Sequence, residues 1–186
     1  IERTLDKETL VITDPEKIIA VAGVMGAANS EVTEETTDIF LEAAYFEPTS
    51  IRKTARKLGL PSEASHRFER GIDIERVVEA GNRACYLMQE YAEGKVAEGV
   101  IDNYPLPYQE NIVKVNITKA NRLLGIELNK DEIEEMLMKL AIEVIEEGED
   151  YIKVRVPSYR NDIEQDADII EEIARQTDLL ALNAAV

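Results

Sequence analysis

Residues 37–71 read TDIFLEAAYFEPTSIRKTARKLGLPSEASHRFERG, and the fold of the first half of the chain turns on how this stretch is parsed. From Asp38 to Phe46 the pattern alternates with period two, placing Ile39, Leu41, Ala43 and Tyr45 on one face of a strand. Phe40, Glu42, Ala44 and Phe46 then share the other face. A carboxylate among apolar neighbours is costly unless it finds donors, shifts its pKa or meets a polar ligand. Spacing alone favours a plainer reading, an edge strand with Glu42 turned to water. After Glu47-Pro48, Thr49 or Ser50 is placed to cap a helix carrying Ile51, Ala55 and Leu58 on its apolar face. Gly59 supplies the stop.

The following residues run against the charge of the whole. Ile51–Arg70 holds six basic side chains (Arg52, Lys53, Arg56, Lys57, Arg67, Arg70) and two acids (Glu63, Glu69), a balance of +4, whereas the chain stands at -17. An anionic partner would be drawn here, although a solvated basic helix face is an ordinary feature. The excess of 38 acids over 21 bases argues against a free-standing nucleic-acid binder, because phosphate attraction dominates such affinity. A single cysteine, Cys85, excludes an internal disulfide framework and suits a reducing cytoplasm. No apolar run reaches membrane-spanning length. With 186 residues the chain can bury one or two cores. It begins with Ile1, which leads us to expect a fragment.

Outward from the opening stretch, Thr9–Thr13 and Ile18–Val24 read as strands joined at Asp14-Pro15-Glu16. Gly23 and Gly26 flank a place where the backbone bends or approaches something closely. A helix is expected over 74–92, with Val77, Gly81, Ala84, Met88 and Tyr91 at helical spacing and Cys85 as a small buried hydrophobe beside them. Val96–Ile101 reads as a strand. The proline-bearing run from Asn103 makes the best domain boundary. The second unit reads strand (Ile112–Ile117), helix (Thr118–Leu124, stopped by Gly125), helix capped by Asn129 and Glu132, hairpin (143–146 with 151–156) and helix. That order suits a winged-helix-like module. Its second helix carries Asp131, Glu132, Glu134 and Glu135, which would repel phosphate, so packing rather than DNA binding is the expected use.

The last chemical constellation lies in PSYRNDIEQDADIIEEIARQ, 157–176, where Ile163, Ala167, Ile170 and Ala174 are expected to form the buried stripe of a helix. Asp168, Glu171 and Glu172 stand at i, i+3 and i+4, with Asp162 near the helix start. Such carboxylates can hold Mg²⁺ with retained waters. Acids in a first turn also simply favour the helix dipole, and spacing alone prefers that reading.

GVMG at 23–26, NSEVTEET at 29–36, LEAAYF at 41–46, SIRKTARKLGL at 50–60 and EASHRFERG at 63–71 resemble the beta subunit of bacterial phenylalanyl-tRNA synthetase. The resemblance runs from about Asp14 to Arg175. It implies an α+β chain: a mixed-sheet part of the fused third and fourth, editing, module over 1–105, then a winged-helix-like fifth module over 111–178. Residues 179–186, within QTDLLALNAAV, depart from the family and form an atypical tail. The implied enzyme attaches phenylalanine to tRNA(Phe) with ATP and hydrolyses Tyr-tRNA(Phe). Carried over residue by residue, Glu42 would meet the tyrosine hydroxyl, Gly23 and Gly26 would shape the pocket, and Ser62 with Ala64 would face the substrate's polar end. Asp162, Asp168, Glu171 and Glu172 would be ligands of a Mg²⁺ shared with the alpha subunit, incomplete in this chain by itself. The implied partners are that alpha subunit, in an alpha2beta2 heterotetramer, and tRNA(Phe); no membrane and no specific DNA are expected. The family usually has a second glycine and an acid at Ala27 and Ala28, and commonly Thr at Ser62. A family histidine falls outside this sequence, so the chain alone is expected not to edit. Two other readings stay open, a non-catalytic interaction scaffold and a winged-helix nucleic-acid binder.

Overall fold

The computed structural model describes the backbone of residues 2–184 and the side chains of 2–177. The chain divides at Asn103/Tyr104 into two compact units. Both mix helices with small antiparallel sheets, the α+β class expected from the sequence.

In the first unit β1 (Val11–Thr13), β2 (Ile18–Val21) and β3 (Met25–Gly26) form a meander in that order. β2 ends earlier than the expected Val24 because Gly23 takes φ +64 and turns the chain. α1 (Pro48–Leu58) buries Ile51, Thr54, Ala55 and Leu58 and exposes its basic side chains. Its cap is Glu47 rather than Thr49 or Ser50: the Glu47 carboxylate accepts from Thr49 N at 2.9 Å and Ser50 N at 2.6 Å. Those backbone donors, Thr49 first, hold the Glu47 carboxyl below its ordinary value. Gly59 ends the helix in the left-handed conformation, as its position in the sequence requires. α2 (Glu63–Phe68) follows, then α3 (Val77–Ala92) after a 3₁₀ turn over Ile74–Arg76.

Two expected strands do not form. Residues 38–46 run without ladder bonds, leaving Phe40 87% and Ile39 59% exposed, and 96–101 likewise leaves Val100 and Ile101 in solvent. Alternation describes a face to bury, but a strand also needs a neighbour for its N–H and C=O groups. Among the described residues neither segment has one. On α3 the partly buried positions include Val77, Gly81, Ala84, Cys85 and Met88, while Tyr91 is exposed.

The second unit is the better packed. β4 (Asn111–Asn116), β5 (Glu143–Glu147) and β6 (Tyr151–Val156) make a sheet in the order β4-β6-β5, both pairings antiparallel. α4 (Ile117–Leu124), α5 (Lys130–Met138) and α6 (Asp166–Ala184) complete it. Val113 and Val115, Ile152, Val154 and Val156 alternate inward against Ile133, Leu137, Ile142, Ile169 and Ile173. Full burial of each such side chain contributes about 1.5–3 kcal/mol. Asn129 and Glu132 form the expected capping box, and Gly125 stops α4. The buried face of α6 differs from the expected stripe: Ile169, Ile170 and Ile173 are buried, whereas Ala167 is exposed. The expected tail at 179–186 lies outside the described side chains; α6 as a backbone helix continues through Ala184.

Candidate functional site

The first unit gathers part of the expected pocket around one turn. Gly23 packs so closely that a methyl group there would lie 2.9 Å from both Ile51 Cδ1 and Phe46 Cδ2. Val24 beside it is buried with Ile51 and Ala55, and Val21, Phe46, Leu60 and Phe68 surround this small core. Phe46 meets Phe68 edge-on, 5.0 Å between ring centres. Ser62 Oγ donates to Val24 O at 2.6 Å and accepts from Ser65 N at 3.0 Å, so the cap of α2 is tied to the glycine turn. Ser65 Oγ in turn accepts from Ser62 N at 2.9 Å, a capping box of two serines.

The other expected members are exposed. Gly26 is exposed on β3 with open space where a side chain would stand. Ala64 is exposed on α2. Glu42 is exposed in the segment that passes α3, where a methyl added at Gly81 would come 3.2 Å from Ala43 Cβ. Even so, the protein around Glu42 withdraws enough water to push its carboxyl above the ordinary value. No cation or donor answers it among the described residues. Beside Ser62, a groove of about 560 Å³ is lined by Arg56, Pro61, Ser65, His66 and Glu69. Arg52, Lys53 and Arg56 on α1 have no ion pair among the described residues, while Lys57 pairs with Asp6. The sequence reading missed Phe46, Phe68 and Ser65 as parts of this site; the Ser-x-x-Ser spacing of 62–65 was the available signal.

The four carboxylates of the second unit do not converge as a cation cage. Asp162 lies against Arg160, whose hydrogen bonds hold its carboxyl below the usual range. Asp168 Oδ2 accepts the N–H groups of Glu164 and Gln165, both at 2.9 Å, satisfying the start of α6. Glu171 pairs with Arg175 at 2.6 Å, and Glu172 with Arg160 at 2.8 Å. Among the described residues no three His, Cys, Asp or Glu side chains are grouped to hold a metal. As folded here, with guanidinium groups on three of the four acids, the donor set does not fit a hard divalent ion. Arg160 and Arg175 had no place in the sequence reading, since their role is visible only once α6 lies beside the turn after β6.

No helix among the described residues is long and apolar enough to cross a membrane. A B3/4 domain family model matches residues 1–93, and a tRNA synthetase B5 domain model matches residues 113–178. The chain is 46% identical over 174 residues to a phenylalanine–tRNA ligase beta subunit of Geobacter metallireducens. It is 46% identical over 178 residues to that of Syntrophotalea carbinolica and 48% over 175 residues to that of Oceanobacillus iheyensis. Each match takes in 94% of this chain and 22% of the relative, so the chain spans about a fifth of the length of these relatives. The glycine turn, the serine-capped helix and the carboxylate-rich α6 thus stand in a chain that belongs to the phenylalanine–tRNA ligase beta subunit family, of which it represents a B3/4–B5 stretch.

Proposed function

We propose that this chain contributes to the hydrolytic editing of Tyr-tRNA(Phe) within a phenylalanine–tRNA ligase, and that Glu42 is its tyrosine-reading group. The observation that carries the reading is the Glu42 carboxylate, which stands in the segment leading to Phe46 with no cation or hydrogen-bond donor to answer it among the described residues; partial loss of water, which raises its carboxyl, agrees with this. Phenylalanine and tyrosine differ by one hydroxyl, which an apolar pocket rejects only weakly. A carboxylate already stripped of part of its water gains from a phenolic donor, and a phenylalanine ring would leave it unpaired. The Gly23 turn, pinned by Ser62 and packed tightly against Phe46 and Ile51, would form a fixed backbone wall of the pocket. The groove beside Ser62, with Arg56 at its edge, suits the anionic end of an aminoacylated RNA. Gly26 and Ala64 belong to this reading as rims of the pocket.

In the intact enzyme, attachment of phenylalanine with ATP would be supplied by other parts, and this region would contribute to contact with the alpha subunit. A Mg²⁺ role for Asp162, Asp168, Glu171 and Glu172 there requires the arginine pairs to open, and no step here passes through the ion. A winged-helix nucleic-acid function is disfavoured by α5, which exposes Asp131, Glu132 and Glu135.

The test uses the full-length beta subunit assembled with its alpha subunit. Glu42→Ala should abolish the preference for hydrolysing Tyr-tRNA(Phe) over Phe-tRNA(Phe) while phenylalanine attachment persists. Unchanged discrimination would remove Glu42 from the site.

A further inference from the structure

The carboxylates around the head of α6 already have a cation, and the chain supplies it. Arg160, in the turn after β6, keeps its side chain only 18% exposed. Its Nε donates to Asp162 Oδ1 at 2.9 Å and its Nη2 to Asp162 Oδ2 at 2.7 Å. The same Nη2 donates to Glu172 Oε1 at 2.8 Å. Glu172, 12% exposed, also lies 3.6 Å from Arg175, which holds Glu171 on the outer side. Asp168 is occupied with backbone N–H groups. The set therefore closes upon itself.

A guanidinium fork and a hydrated Mg²⁺ are alternatives at one pair of carboxylates. The fork is planar and donates to both oxygens of one acid at once. The ion demands near-octahedral oxygen geometry and releases its waters reluctantly. We infer that Arg160 is the counter-ion around which this cluster folds in the chain by itself, and that it excludes a divalent cation from Asp162 and Glu172. Glu172 makes the exclusion firm, because removing the partner of a mostly buried charge costs more than an exposed pair would. Weak Mg²⁺ binding by this chain is then a consequence of occupancy by arginine and not only of missing ligands. Arg160 acts as a positioning residue that joins the turn at 157–162 to α6.

Calorimetric titration of the 186-residue chain with MgCl₂, alongside thermal unfolding, tests this in wild type and in Arg160→Gln. Wild type should give no saturable heat and no change in Tm at millimolar Mg²⁺. Arg160→Gln should lower Tm by roughly 5–10 °C without metal. It should also bind Mg²⁺ at least about tenfold more tightly than wild type, recovering part of that loss. Asp162→Asn placed in the same background should abolish the gain. Should Arg160→Gln not fold, Arg160→Lys replaces it: a single ammonium holds the acids less fully, and Mg²⁺ binding must still rise. Saturable binding by wild type that Asp162→Asn removes would overturn the inference. So would a folded Arg160 variant with no gain.

Discussion

Ser62 Oγ donates to the carbonyl of Val24 across 38 residues of sequence, at 2.6 Å. The same oxygen accepts from Ser65 N at 3.0 Å and so serves as the cap of α2. One hydroxyl thus fixes where a helix begins and where the glycine turn lies. Ser62→Ala should lower the stability of the first unit by about 1–2 kcal/mol, the sum of a lost cap and an unpaired, buried carbonyl at Val24. Ser62→Thr keeps the hydroxyl and should stay within about 0.5 kcal/mol of wild type. Urea unfolding followed by far-UV circular dichroism separates the two outcomes.

The two glycines of the GVMG stretch should respond oppositely to a methyl group. Gly23 has φ +64, and its added Cβ would press on Ile51 and Phe46 at 2.9 Å. Gly23→Ala should cost about 1–3 kcal/mol through strain and overpacking. Gly26 has open space and no positive φ. Gly26→Ala should be near neutral for stability, so any loss of Tyr-tRNA(Phe) hydrolysis in the assembled enzyme would report on substrate shape. Paired urea midpoints and deacylation rates check both.

Asp150, in the β5–β6 turn, reaches back to the start of α4. It accepts from Thr118 Oγ1 at 2.7 Å, from Asn116 Nδ2 at 2.7 Å and from Thr118 N at 3.1 Å. These bonds, Thr118's hydroxyl first, hold its carboxyl below the ordinary value. A carboxyl lowered on folding adds stability that is complete above its unfolded value, about 3.9, and lost as pH falls through the folded one. Unfolding midpoints of wild type should therefore drop below about pH 4, and Asp150→Asn should show a smaller drop over that window. Equal acid sensitivity in the two proteins would exclude Asp150 as a contributor.

Glu42 carries the opposite sign. Its carboxyl is raised in the folded chain by loss of water, so its contribution is most favourable below the unfolded value, about 4.3, and diminishes as pH rises through the folded one. Glu42→Gln should match or exceed wild-type stability at pH 7 and converge with it near pH 3–4. A loss of stability at pH 7 would show that the charged group is satisfied within the chain, which the editing reading does not allow.

Much of this protein was legible from local pattern alone. Helix ends set by Gly59 and Gly125, the box of Asn129 and Glu132, and the 3.6-residue spacing of α1 and α5 depend on neighbours within four or five residues. Such features are decided by the chain's own backbone and appear wherever the sequence does. The β5–β6 hairpin was legible for the same reason. Segments 38–46 and 96–101 were not, because alternation specifies a face and says nothing of a pairing partner. Only the tertiary structure decided that α6 buries Ile169 and Ile173 where spacing suggested Ala167. It alone brought Ser62 to Val24, Asp150 to α4 and Arg160 between Asp162 and Glu172. Sequence fixes which groups carry charge or a hydroxyl. Whether a carboxylate meets a cation, a backbone N–H or an arginine depends on distances set by packing elements remote in the chain.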